Sequence, residues 1–173
     1  MVFNDSDIKI AGDKPSLDVK RNKTNPKNDN PYSIDKDKAR LWGEAVAREF
    51  IKDAHNNPLN DECDYEMTVQ RRFLLSFTAT VGFEQFSPDD TFCGVAQKGF
   101  LDVIKREEPS LYNTAQDTGA FSFYYLAFRR GGDTVRRIGQ TFAMLCSHDG
   151  DPIYQELGEA LYCWFLSVIK DML

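Results

Sequence analysis

The chain is short of the residues that usually announce a chemistry. It has two histidines, His55 and His148, far apart in sequence, and four cysteines, Cys63, Cys93, Cys146 and Cys163, none in a C-x-x-C spacing. A zinc site needs three or four such ligands converging on the ion, so no metal or other cofactor is called for. Each cysteine has apolar neighbours on an expected helix and reads as a buried, reduced thiol. No apolar run approaches the roughly 20 residues of a bilayer crossing. The start of the chain, MVFNDSDIKIAGDK, lacks the basic and apolar regions of a secretory signal. A cytoplasmic protein without membrane contact is therefore expected. A basic excess is missing too: the net charge is −6 and the pI about 5.0, which argues against a broad nucleic-acid-binding face.

What is present suits one globular domain. The chain has 173 residues, 42% of them hydrophobic, enough to bury a sizeable core. Residues 1–32 stand apart, rich in Lys, Asn, Asp and Pro and without a sustained apolar period. They carry six Lys/Arg against five Asp/Glu, so the acidic excess lies wholly in residues 33–173. Such a segment buries too little apolar surface to offset its ordering entropy. It reads as an irregular arm, either a flexible leader or a strap onto a second subunit anchored by Val2, Phe3, Ile8, Ile10 and Tyr32.

From Ser33 onward the pattern is helical. Trp42, Val46 and Phe50 make one apolar face that ends at Asn56-Asn57-Pro58. Asp61 can cap a second helix, along which Val69, Phe73, Phe77 and Val81 recur every fourth residue. Ser87-Pro88-Asp89-Asp90 reads as a helix start with serine as cap and proline at N1. Phe92, Val95, Ala96, Gly99 and Val103 carry that third helix to Glu108-Pro109. Residues 109–130 are expected as one further helix despite Thr114, Thr118 and Gly119, with Gly131 as its left-handed stop. Asp133 caps the next helix and Asp151-Pro152 opens the last, whose apolar stripe includes Leu157, Leu161, Phe165 and Val168. Short turns between these segments imply an all-α antiparallel bundle of five to six helices. The segments on either side of Gly131-Gly132 should pack as a pair, with Tyr125, Phe128, Ile138 and Phe142 inward. Gly43, Gly94, Gly99, Gly139 and Gly158 fall within helices, where glycine usually marks close helix contact.

Three groups of residues could carry function. The first is RRGGDTVRR, which sets Arg129, Arg130, Arg136 and Arg137 around a break. Arg136 and Arg137 fall in the first turn of a helix, where the macrodipole disfavours cations, so a carboxylate or a bound anion is expected to compensate them. The second is the aromatic run from Phe121 through Phe123, Tyr124 and Tyr125 to Phe128, which covers more than one helix face. Part of it must lie in a central helix or form an interface, for which Phe121, Phe123 and Tyr124 are the candidates. The third is acidic. Glu156 and Glu159 have the i, i+3 spacing of Mg²⁺ ligands, and His148-Asp149 is a pair that helical metal-dependent phosphohydrolases use. The second helix carries no matching acids along RRFLLSFTATV, and HDGD is ordinary turn composition. The expectation is a non-enzymatic binding or regulatory module with no catalytic residue, acting through protein contacts as a homodimer. An anion or nucleic-acid binder built on the four arginines is the alternative, and a metal-dependent phosphohydrolase the third reading.

Overall fold

The computed structural model describes residues 31–59, 65–116 and 118–173, with side chains from Asp35 onward except those of Thr118 and Ala120. Among the described residues seven helices follow one another: α1 (Pro31–Asn56), α2 (Tyr65–Phe86), α3 (Asp90–Glu107), α4 (Pro109–Gln116), α5 (Thr118–Arg129), α6 (Thr134–Leu145) and α7 (Pro152–Asp171). No strand occurs among the described residues, and no helix is long and apolar enough to cross a membrane. The architecture is the expected all-α bundle. The expected strap anchors Val2, Phe3, Ile8 and Ile10 lie outside the described residues, whereas Pro31 and Tyr32 already belong to α1.

Helix α2 is the axle. Leu74, Leu75, Ser76, Phe77, Thr78 and Ala79 are six consecutive buried residues, more than any one helix face can supply. Its hydroxyls do not break it, because Thr78 donates to the Leu74 carbonyl at 2.7 Å and Thr80 to the Ser76 carbonyl at 3.2 Å. The all-round burial expected of the aromatic run thus belongs to α2. On the aromatic run Phe121, Tyr124 and Ala127 point inward from α5 at helical spacing, while Phe123 and Leu126 point out.

Other helices reach α2 and each other by close approach. A Cβ on Gly43 would fall 2.0 Å from the Ala96 carbonyl oxygen, and one on Gly99 would fall 2.8 Å from the Arg40 carbonyl oxygen. As the position falls from 43 to 40 on α1 it rises from 96 to 99 on α3, so the two helices run antiparallel with touching backbones. Helices α6 and α7 meet the same way, with Gly158 set against Phe142 and Gly139. Gly94 departs from the expectation, since nothing lies within 4 Å of a Cβ there.

The ends of the helices show how local chemistry sets the path. Asp89 rather than Ser87 caps α3, accepting from the Phe92 amide at 2.8 Å, so the serine and proline precede the helix. Asp133 and Asp151 cap α6 and α7 as expected, and Pro152 takes the first helical position. Gly131 and Gly132 both adopt positive φ, 67° and 77°, which closes α5 and reverses the chain. Of the single helix expected over residues 109–130, helix is described over Pro109–Gln116 (α4) and Thr118–Arg129 (α5).

The end of α6 is a Schellman motif without its usual glycine. The His148 amide donates to the Ala143 carbonyl at 2.9 Å and the Ser147 amide to the Met144 carbonyl at 3.1 Å, with Ser147 at φ 62°. The serine hydroxyl donates to Glu66 Oε1 at 3.1 Å, tying this turn to the first turn of α2. At the other end of the molecule the buried Trp42 indole N–H donates to the Ile169 carbonyl at 2.8 Å. That carbonyl lies in the last turn of α7, where the helix itself leaves acceptors unused.

Candidate functional site

Helices α5 and α6 and the α6–α7 turn enclose an open cleft of about 550 Å³. Its apolar wall is Phe123, Leu126, Ala127 and Met144, of which Phe123, Leu126 and Met144 are 51%, 55% and 42% exposed. The Gly131-Gly132 reversal brings the end of α5 against the start of α6, and so places Arg130 and Arg137 on the same cleft. Gln140, Thr141 and Gln155 add neutral hydrogen-bonding groups, and Asp149 is the acidic member.

The four arginines separate into distinct environments. Arg129 lies over the Tyr125 ring, 5.8 Å from its centroid, on the far side of α5 beside Glu84. Arg136 is exposed and lines neither side. Arg130 and Arg137 face the cleft, Arg137 half-buried against Gly132. The expectation for this stretch is compensation by a carboxylate or a bound anion. Among the described residues no carboxylate lies within 4.0 Å of any of the four. The amides at the start of α6 have a partner already, because Asp133 accepts from the Arg136 amide at 3.1 Å. That cap supplies the negative charge that the helix start favours. The two cleft guanidinium groups are left with donors to spare.

Of the aromatic candidates for an interface, Phe121 and Tyr124 are core residues. Tyr124 stacks on Phe77 at 5.4 Å, and burial pushes its phenol well above the usual range. Phe123 alone of the three presents its ring to the cleft and the surface.

The acidic candidates do not converge. No group of three or more His, Cys, Asp or Glu side chains among the described residues is placed to hold a metal ion. Glu159 packs its stem against Gly139 at the α6–α7 crossing, and Glu156 is exposed on α7. The His148 ring stacks on Tyr154, 3.8 Å between centroids and 7° from parallel, as part of the turn. His55 pairs instead with Glu108 at 2.9 Å, more than fifty residues away, while Asp61, Glu62 and Asp64 lie outside the described residues. The cysteines are not uniformly buried as expected: Cys146 is, Cys93 is half-buried, Cys163 is exposed, and Cys63 lies outside the described residues.

Two polar clusters had no signal in the sequence. Asp53, 8% exposed, accepts both Arg71 Nε at 2.9 Å and Arg71 Nη2 at 2.5 Å, a two-pronged pair joining α1 to α2. Glu108 accepts from Ser110 and pairs with His55, and these contacts hold its carboxyl below the usual range. The Asp53–Arg71 and Glu108–His55 pairs depend on helix packing, which no local spacing encodes. No protein-family model matches the chain, and no curated protein or solved structure is significantly similar to it.

Proposed function

We propose that the protein is a non-enzymatic binding module whose working surface is the α5–α6 cleft, and that its partner is a second copy of the chain. The observation that carries the reading is one juxtaposition. Two guanidinium groups without a carboxylate partner share a cleft with three exposed large apolar side chains. A surface of that kind favours an occupant that brings an apolar group and a carboxylate together. The chain carries such a pair beside the cleft, near the start of α7, where Ile153 in the first turn is 73% exposed and Glu156 in the second is exposed one position beyond Gln155 of the cleft rim. Under a twofold axis near this turn, each copy sets its Ile153 and Glu156 against the other copy's cleft.

Sedimentation equilibrium over a wide concentration range tests this. A dimer is expected, weakened by Leu126→Asp and by the double change Arg130→Gln and Arg137→Gln, and more sensitive to salt before the arginine changes than after. A chain that stays monomeric at every concentration overturns the reading. The alternative, an anion or nucleic-acid binder using Arg129, Arg130, Arg136 and Arg137, draws on the same unpaired donors but has the Asp133 cap and the acidic charge against it. Labelled single- and double-stranded oligonucleotides at two salt concentrations decide it, with salt-sensitive binding as the result in its favour.

A further inference from the structure

Charge in the α5–α6 cleft does not balance. Its lining carries two guanidinium groups, Arg130 and Arg137, and one carboxylate, Asp149, which leaves one positive charge over. Asp149 does not come within 4.0 Å of either arginine. Asp133, the acid between them in sequence, is already committed to the Arg136 amide as the cap of α6. Arg137 is half-buried, and its Nη2 lies 3.4 Å from where a Cβ would stand on Gly132. The glycine thus gives the guanidinium a backbone wall to rest against and leaves its other donors to the cleft.

The apolar wall beside these charges can be reached from solvent. Phe123, Leu126 and Met144 are all exposed, and the cleft's volume of about 550 Å³ falls within the range of about 300–1,000 Å³ usual for small-molecule sites. An occupant that covers this wall also takes water from the two guanidinium groups. A neutral occupant forfeits the hydrogen bonds so lost, whereas a carboxylate replaces them with charge-assisted ones. One carboxylate also brings the lining to neutrality, and a cation would add to the surplus.

We infer that the cleft takes a small amphipathic monocarboxylate, and that this ligand releases the dimer by occupying the place of the second copy's Ile153 and Glu156. The inference rests on the reading of the cleft as the dimer contact. The ligand's carboxylate meets Arg130 and Arg137, and its apolar body lies on Phe123, Leu126 and Met144. Ligand and second copy need the same groups, so each excludes the other and ligand draws the equilibrium towards monomers. A symmetric dimer has two such clefts, and the effect grows as the square of cleft occupancy. At ten times its own Kd the ligand should therefore raise the dimer Kd about a hundredfold.

Decanoate, kept below the concentration at which it forms micelles, serves as the probe in two separate measurements. Calorimetry follows its binding to the chain carrying Ile153→Ser and Glu156→Gln, which lacks the competing pair but keeps every residue that lines the cleft. Saturable binding of one decanoate per chain is expected. Decanol should bind at least about tenfold more weakly, as should decanoate once Arg130→Gln and Arg137→Gln are added. Circular dichroism confirms that each variant is folded; if the arginine variant is not, Leu126→Asp at its exposed position replaces it, with the same loss expected. Sedimentation equilibrium of the unmodified chain then measures the dimer with and without decanoate. Decanoate that fails to bind, that binds no better than decanol, that ignores the folded cleft variants, or that binds and leaves the dimer intact overturns the inference alone. A chain that is monomeric without ligand overturns the dimer reading and, with it, the competition.

Discussion

Exchanging Gly43 for alanine tests the helix packing most directly. The added Cβ would stand 2.0 Å from the Ala96 carbonyl oxygen and 2.8 Å from its carbon, both backbone atoms that no rotamer change can move. Ordinary contact begins at 3.4 Å, so α1 and α3 must separate by about 1.4 Å where their backbones touch. Overpacking of this kind costs about 1–3 kcal/mol, and clash with backbone places Gly43→Ala near the upper end. Alanine's better helix propensity returns about 1 kcal/mol, for a net loss of about 2 kcal/mol. For a chain of this length the melting temperature should fall by about 4–8 °C. Gly94→Ala is the internal control, since it lies on α3 with nothing within 4 Å of a Cβ. There only the propensity gain applies, and the same assay should show a rise of about 2–4 °C. Urea unfolding and thermal melts by far-ultraviolet circular dichroism measure both. A Gly43→Ala chain as stable as the unmodified protein, or a destabilised Gly94→Ala chain, would refute the reasoning.

Other changes read other parts of the bundle. Phe165→Ala empties a fully buried site on α7 and should cost about 3–5 kcal/mol in urea unfolding; a loss below about 1 kcal/mol would contradict its burial. Ser147→Gly relieves the positive φ at the end of α6, by about 1 kcal/mol, but gives up the bond to Glu66. The expected result is a small net gain that becomes larger in a Glu66→Ala background, where that bond is already lost. Asp53→Ala strands the Arg71 guanidinium and should destabilise by about 3 kcal/mol, whereas replacing both residues by apolar ones should cost less. Glu108 has a carboxyl held below its ordinary range by Ser110 and His55, so its contribution is complete above that range and disappears as the pH falls through its lowered value. Glu108→Gln should therefore be less stable than the unmodified chain at neutral pH, with the gap closing on acidification; a gap that widens in acid would reverse the assignment.

The helices were legible because their ends and faces are local. Asp133, Asp151-Pro152 and Gly131 announce boundaries within a few residues, and α6 and α7 show their inward stripes directly. Helix α2 was readable as a helix but not as the centre of the bundle. Its Ser76, Thr78 and Thr80 suggest a polar face until their hydroxyls are seen satisfying the helix's own carbonyls or buried with the rest. The arginine stretch stood out in the sequence, yet its separation into Arg129 on one side and Arg130 with Arg137 on the other follows from where α5 and α6 lie.

The indole bond from Trp42 to Ile169 joins positions 127 residues apart, and Gly82 lies against the same Ile169 side chain. During synthesis α1 and α2 therefore emerge long before the surface that will cover them. Until α7 clears the ribosome, Trp42, the exposed flank of α2 and the unpaired end of the bundle remain open to solvent and to other nascent chains. Chaperone dependence should accordingly be set by the emergence of α7. A ribosome-stalled chain ending before α7 should remain associated with holding chaperones, while one whose α7 has fully emerged should be released.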